Sequence, residues 1–300
     1  MRILICGGTG FLGKYIVNAL IQRGHDPVVR SRRTDPALDF AACVTPEQWL
    51  AHLQNIDAVI NAVGALRDQP GQELQNLHMK APVALFDACA QAGIKRVVQV
   101  SALGVDLGVD QSETMYASTK RAADDYLLAL GATGQLNPVV VRPSIIFGGG
   151  GASSKLFLML AGLPVLPLPA VMRSTQIQPV AVRDLAEVLA SMAITDQPTG
   201  VVEIGGPQPI TIEGFIASLR SQMEYSPARV RLLPRWLSSA SARLGDRLPW
   251  MPWCSEAAAL LEQDNTTDPA TLARLLGKAP TGVEQMLATI PTGDRFGKSH

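Results

Sequence analysis

Apolar and polar positions alternate between two periods along the first half of the chain. Arg2–Cys6 is a short apolar run of strand character. Phe11–Arg23 then repeats apolar residues at Leu12, Ile16, Ala19 and Leu20, the spacing of one helix face, with Gly24 placed to stop it. The pairing recurs. Pro27–Arg30 predicts the next strand and Asp39–Cys43 a further one. Pro46–Leu53 predicts a helix, Asp57–Val63 a strand, Leu77–Ala92 a helix closed by Gly93, Arg96–Ala102 a buried strand, Thr114–Leu130 a helix and Pro138–Ser144 a strand. Repeated β-α units of this length imply a parallel sheet, right-handed crossovers and helices on both faces.

After Phe147 the pattern loosens. Gly148–Ser154 reads as a mobile loop by composition. Helices are expected at Asp184–Ile194, at Ile212–Met223 and near Pro269–Leu276, with a strand at Gly200–Gly205. Prolines and tryptophans crowd Pro234–Trp253. The division expected is 1–147 for the regular β-α domain and 148–300 for a mixed region that completes the sheet and forms a smaller lobe over its carboxyl edge.

Composition narrows the field. Apolar residues are 47% and charged residues 17% of the chain, enough for a large core and wrong for disorder. The formal charge is zero, so no global pull toward nucleic acid or anionic lipid exists and any basic site must be local. The four cysteines, Cys6, Cys43, Cys89 and Cys254, have no C-x-x-C spacing, and His25, His52 and His300 have no ligand-like spacing. Reduced cytoplasmic thiols and no metal are expected. The chain enters a strand at once, without the order of a leader. The greasiest stretch, Leu156–Met172, is broken by Pro164, Pro167 and Pro169 and reads as a buried or partner-facing segment, not a span.

The first turn carries chemistry. ICGGTGFLGKY places Gly7, Gly8, Gly10 and Gly13 between the first strand and helix. Glycines there allow a tight turn and close backbone approach to a pyrophosphate, while the helix N-terminus offers free N–H groups and a positive dipole end. About 20 residues on, where an acid commonly takes the adenosine ribose of NAD, this chain has Arg30, Ser31, Arg32 and Arg33, and no acid before Asp35. Guanidinium groups grip a 2′-phosphate through paired, charge-assisted bonds. NADP(H) is therefore expected over NAD(H), with Asp39 and Phe40 on the next strand as adenine contacts. The fold expected is α/β, a Rossmann-type doubly wound sheet with a less regular C-terminal substrate lobe.

TMYASTKRAADDYL sets Tyr116 and Lys120 one helical turn apart on one face. A tyrosine titrates near ~10 unaided, and a neighbouring ammonium favours its phenolate. Tyr116 can then exchange a proton with a carbonyl or alcohol oxygen while hydride moves at carbon. Ser101 closes the preceding strand, and its hydroxyl is placed to hold that oxygen. Tyr126, ten residues after Tyr116, faces elsewhere.

GGTGFLG, the strand end Asn61–Gly64, Ser101, YASTK and VRPSIIFG together resemble the extended and atypical short-chain dehydrogenase/reductase superfamily. LFDACAQAGIKRVVQVSALGVD and QPVAVRDLAEVL are similar to the branch holding the nucleotide-binding accessory subunit of respiratory complex I and its bacterial relatives. The resemblance implies that Gly7, Thr9, Gly10, Phe11 and Leu12 bind pyrophosphate, Ala62, Val63 and Gly64 line the adenosine side, and Pro143, Ser144 and Ile145 meet the nicotinamide end. It makes Ser101, Tyr116 and Lys120 the catalytic set. Two departures stand out. Ser101 lies closer to Tyr116 than in sugar-nucleotide epimerases, and His78 occupies a position where many members carry asparagine.

The leading expectation is an NADP(H)-dependent oxidoreductase acting on a carbonyl or alcohol of a hydrophobic small molecule. A non-catalytic NADPH-binding assembly or sensor protein is the alternative from another class. A sugar-nucleotide epimerase is a third, kept open by Arg229, Arg231 and Arg235 as a diphosphate clamp. Trp236, Trp250, Trp253 and the apolar strip are read as core and lid, with a membrane surface or protein partner as the other reading. Asp184, Arg183 and Glu203 read as ordinary helix and strand-end charges, with Asp184 a helix N-cap candidate. No nucleic-acid partner is expected, and the location expected is cytoplasmic, with peripheral membrane contact as its variant.

Overall fold

The computed structural model describes residues 1–68, 71–106, 114–248 and 251–290. Trp250 and His300 lie outside the described residues. The chain divides into two units, Met1–Pro143 with Leu185–Glu203, and Ser144–Asp184 with Ile204–His300.

In the first unit the elements run β1 (Arg2–Cys6), α1 (Phe11–Gln22), β2 (Asp26–Arg30), α2 (Pro46–Leu50), β3 (Ala58–Asn61), a π-helical turn (Gln75–Lys80), α3 (Ala81–Gln91), β4 (Arg96–Val100), α4 (Met115–Ala132) and β5 (Asn137–Pro143). β2, β1, β3, β4 and β5 pair in that order, all parallel, and the strand Gly200–Ile204 adds a sixth position beside β5. Every residue of β3 and β4 is buried. That is why these strands read as unbroken apolar runs instead of alternating ones. The order turns back between β1 and β3, and such a switch leaves a crevice beyond the carboxyl ends of the strands. The segment 185–203 is tied to the start of β4 by one buried cation. The Arg96 guanidinium donates to Met192 O (2.6 Å), Pro198 O (2.9 Å) and Asn137 O (3.3 Å).

The expected strand at Asp39–Cys43 does not form. Phe40–Ala42 is a single 3-10 turn. Fully buried Trp49 captures this stretch, its indole N–H donating to Cys43 O (3.0 Å) and its ring meeting Phe40 edge-on at 5.3 Å. A tryptophan of this size buries more apolar surface than a short edge strand would gain from one ladder.

From Ser144 onward the chain runs through β6 (Ile146–Phe147), α5 (Ala152–Gly162), β7 (Val165–Pro169), β8 (Gln176–Ile177) and β9 (Val180–Ala181) into α6 (Val182–Ala193). β10 (Gly200–Ile204), β11 (Ile210–Thr211), α7 (Ile212–Gln222), β12 (Arg229–Leu233), α8 (Arg235–Asp246), α9 (Ser255–Leu260) and α10 (Ala270–Leu276) follow. Most of α6 and β10 belongs to the first unit, and the other elements of this series form the second. Among the described residues the named strands of the second unit pair in twos: β7 with β12 and β6 with β9 in parallel, β8 with β11 antiparallel. Its core is aromatic at the centre, with Phe147 and Phe157 packed edge-on against Phe215 at 5.4 and 5.1 Å. The glycine-rich stretch expected as a loop ends in helix, because Leu156 and Phe157 are buried and Ser154 Oγ accepts from Gly148 N–H (2.9 Å). Leu156–Met172 becomes part of α5, then β7 and a 3-10 turn. No helix among the described residues is long and apolar enough to cross a membrane.

Candidate active site

The glycines of the first turn are required by close backbone contacts. Gly7 has φ +80°, and a Cβ there would lie 2.9 Å from Ala62 O. A Cβ on Gly13 would sit 2.0 Å from Gly7 O, so the first turn of α1 packs directly on the loop. Gly10 occupies the N-cap position without any side-chain cap, and Thr9 and Gly10 are exposed. The leading N–H groups of α1 are thus left to an outside acceptor, at the end where the dipole favours an anion. This cradle fits a dinucleotide pyrophosphate.

The register carries Arg30 to the same edge. Cys6, the residue before Gly7, pairs with Arg30 on one side and Asn61 on the other. Arg30 Nε is buried and has no hydrogen-bond partner among the described residues. Its charge reaches His52, whose basicity is lowered by burial first and by Arg30 second. A buried guanidinium N–H with no carboxylate bonded to it among the described residues could hold an anion. Arg32 and Arg33 are exposed, and Ser31 is fixed in a turn, its carbonyl accepting from Leu38 N–H (2.9 Å) and Thr34 N–H (3.2 Å). Asp39 is exposed, and Phe40 is held against Trp49.

The ends of β3 and β4 meet α4. Thr114 caps that helix, its Oγ1 accepting from Ala117 N–H (3.2 Å). Lys120 is 3% exposed, and its Nζ donates to Val63 O (3.1 Å) and Val100 O (2.9 Å), the carbonyls where both strands end. Burial pulls its amine down to about 8, with Asp124 opposing the fall. Asn61 fixes the β3 end by donating to Gln99 Oε1 (2.8 Å) and accepting from Val63 N–H (3.2 Å).

His78, on the π-helical turn, is 1% exposed. Its Nε2 accepts from Ala65 N–H (3.1 Å), so the ring hydrogen belongs on Nδ1, which faces Thr119 Oγ1 at 3.3 Å. Burial first, and Lys120 second, bring its pKa down to about 2. The ring is neutral and stands edge-on to the Tyr116 ring at 5.4 Å. It packs against the phenol ring, and its burial disfavours the charged form.

Ser101 shows a commitment that sequence reasoning missed. Its Oγ donates to Asp124 Oδ2 at 2.6 Å, so the hydrogen a carbonyl oxygen would need is already engaged. Asp124 is fully buried and also accepts from Arg142 Nε (3.4 Å), while Arg142 Nη1 donates to Asp106 (2.7 Å). Burial pushes the Asp124 carboxyl up to about 6 against the opposing pull of Ser101, Lys120 and Arg142. The signal was available: Tyr116, Lys120 and Asp124 follow at four-residue steps on one helix face. The Arg142 role was hidden inside an apolar strand.

Glycine loop, Arg30, Ala62–Gly64, Ser101, Tyr116 and Lys120 all belong to the first unit and follow or face the carboxyl ends of its strands. Pro143 ends β5 there. Ser144 and Ile145 belong to the second unit, where Ser144 is buried and its Oγ donates to Asn265 Oδ1 (2.5 Å). Arg229, Arg231 and Arg235 are exposed in the second unit.

Comparison with known proteins gives a matching frame. The model of the NAD dependent epimerase/dehydratase family matches residues 3–205. Ceramide reductase of Caulobacter vibrioides is 28% identical over 213 residues, covering 67% of this chain and 63% of its own length. The mitochondrial NADH-ubiquinone oxidoreductase 40 kDa subunit of Neurospora crassa is 25% identical over 297 residues, 93% of this chain and 76% of that one. The first of these relatives is thus spanned over less than two thirds of its length. Among solved structures, UDP-glucose 4-epimerase of Thermus thermophilus in complex with NAD superposes with a TM-score of 0.70 at 20% identity, covering all of both chains.

Proposed function

Because this chain belongs to the NAD dependent epimerase/dehydratase family, we propose that it is an NADP(H)-dependent oxidoreductase that interconverts a carbonyl and an alcohol on a hydrophobic small molecule. One observation carries the reading: Lys120 is buried, docked on the ends of β3 and β4, one helical turn from Tyr116. A lysine is costly to bury, and here two of its donors are spent on the strand ends beside the helix that carries the phenol.

When bound, the nicotinamide dinucleotide supplies hydride to a carbonyl carbon or accepts it from an alcohol carbon. The pyrophosphate is held by the loop Gly7–Gly13 and the open end of α1. The 2′-phosphate is held by Arg30, with Arg32 and Arg33 adding local positive potential. In the reductive direction Tyr116 gives its phenolic proton to the oxygen, which becomes the hydroxyl. Lys120 favours the resulting phenolate by charge. Neutral His78 against the Tyr116 ring limits that ring's rotation and adds no competing proton. Ser101 orients the substrate oxygen only by releasing Asp124. Its single hydroxyl hydrogen serves either that oxygen or Asp124, so engaging the oxygen leaves the Asp124 carboxylate to Arg142. The hydrophobic substrate class is supported by the ceramide reductase similarity.

The test is turnover. Purified protein with NADPH and with NADH is offered aliphatic ketones, sterol ketones, ceramide-like ketones and nucleotide sugars, and nicotinamide absorbance is followed. Turnover with an apolar ketone and NADPH, lost in Tyr116→Phe, is expected. Turnover unchanged in Tyr116→Phe refutes the roles assigned. A second reading is a non-catalytic NADPH-binding assembly or sensor protein; similarity over 93% of this chain to a subunit of a larger oxidoreductase supports keeping it. It predicts tight NADPH binding, slow release and no turnover with any acceptor.

A further inference from the structure

We propose that the second unit contains a binding site for a single-chain anionic amphiphile, with its aliphatic tail in an apolar cavity and its acidic head on the arginines of β12. The proposal is independent of any chemistry at Tyr116.

The cavity measures about 250 Å³ and is lined by α5, β7, α7, β12 and the segments that follow. Leu156, Phe157, Leu168, Met172, Ile212 and Leu233 supply much of its wall. Ser241 is its single polar lining residue among the described ones, and its hydroxyl is already engaged. Ser241 Oγ donates to Ser238 O (2.7 Å) and accepts from the Trp253 indole N–H (3.1 Å). A buried water needs two to four polar partners, and none is on offer here. An enclosed apolar cavity of ~150 Å³ excludes water and takes up benzene; this one is larger and opens to solvent beside exposed Met159, so it suits a longer hydrocarbon whose end reaches the surface. At about 30 Å³ per water-sized group, it accommodates roughly eight methylenes.

The charge of the head follows from β12. Side chains alternate along a strand, so Arg229 and Arg231 share a face with Leu233, a wall residue. Arg231 pairs in register with Pro167 and Leu233 with Pro169, both prolines lining the cavity. Arg229 and Arg231 are exposed and make no ion pair among the described residues. Arg235 opens α8 just beyond, with only a long, exposed contact to Glu262 at 3.8 Å. Three guanidinium groups beside an apolar cavity, in a chain of zero formal charge, select an anion attached to an alkyl chain. A neutral sterol or a sugar diphosphate matches only one half of this arrangement.

Isothermal titration of the full chain with hexanoate, octanoate, decanoate and decan-1-ol tests the site. Each added methylene should tighten binding about fourfold until the cavity is full. Decanol should bind about tenfold or more weakly than decanoate. Arg231→Glu should weaken decanoate binding about tenfold and leave decanol unchanged. Leu233→Trp, which fills the cavity from the half-buried strand end, should abolish binding of both while NADPH affinity and melting temperature stay unchanged. If Leu233→Trp fails to fold, the Arg231→Glu comparison and the chain-length series decide. Equal affinity for decanoate and decanol, no dependence on chain length, or no saturable binding overturns the proposal. Phosphatidylglycerol vesicles separate a free amphiphile from a bilayer surface. No co-sedimentation is expected, and co-sedimentation that survives Leu233→Trp overturns the cavity assignment.

Discussion

Replacing Gly13 by alanine perturbs the site by one methyl group. In an ordinary helix the change is favourable by roughly 0.5–1 kcal/mol, because alanine has less backbone entropy to lose. Here the new Cβ would lie 2.0 Å from Gly7 O and 2.7 Å from Gly7 C and Gly8 Cα, all backbone atoms that cannot rotate away. Ordinary contact begins near 3.4 Å, so loop and helix must separate by about 1.4 Å. Overpacking of this kind costs ~1–3 kcal/mol, leaving a net destabilisation of about 0–2.5 kcal/mol after the helical gain. The binding effect is larger. A displacement of that size carries N–H groups from ~2.9 Å to beyond hydrogen-bond range of a phosphate oxygen. Two lost charge-assisted bonds at ~1.5–3 kcal/mol each weaken dinucleotide binding by at least about a hundredfold. Both NADPH and NADH share the pyrophosphate, so both should fall by the same factor. Gly24→Ala is the control. Gly24 has φ +76°, and a Cβ added there would meet nothing within 4 Å, so the variant incurs backbone strain without touching the loop. Dissociation constants from fluorescence titration, with urea midpoints for both variants, make the comparison. Gly13→Ala binding within about threefold of the unmodified chain would refute the cradle.

Arg30→Gln should reduce NADPH affinity about ten- to hundredfold and leave NADH within about threefold, since only the 2′-phosphate needs the guanidinium; equal losses in equilibrium titration would reject that assignment. Burial pulls Lys120 down to about 8, so its charge is present below that pH and lost as pH rises through it. Turnover should therefore decline on an alkaline limb near pH 8, and whatever activity Lys120→Arg retains should lack that limb. Asp124 is raised to about 6 from an ordinary 3.8 by burial, so the folded chain favours its neutral form. The associated stability is full below the ordinary value and is lost as pH rises through about 6. Urea unfolding at several pH values should show the difference between the native chain and Asp124→Asn shrinking over that window. A pH-independent difference would count against a buried, uphill carboxylate.

The local order of strands and helices in the first unit was legible because each element carries its own period. An apolar strand, a glycine turn and a helix with one apolar face need no distant information, and β1, α1, β2, α3, β4 and α4 form close to where their patterns place them. The glycine cradle and the Tyr116–Lys120 spacing are legible for the same reason: one is a turn and the other a single helical step. The second unit was much less so. β12, α8 and α9 went unread, since short paired strands and mixed helices have weak periodicity.

By itself, then, the chain's sequence determined the β-α alternation, the glycines a phosphate loop needs and the basic end of β2. Tertiary structure decided which partner each polar group would take. Trp49 drew the stretch after Asp39 into a turn instead of an edge strand. Asp124 captured the Ser101 hydroxyl across 23 positions, and Ala65 and Thr119 set the His78 tautomer. A buried polar atom must satisfy its hydrogen bonds with whatever the fold brings within about 3 Å. That neighbour is chosen by packing over long sequence separations, which no local pattern records.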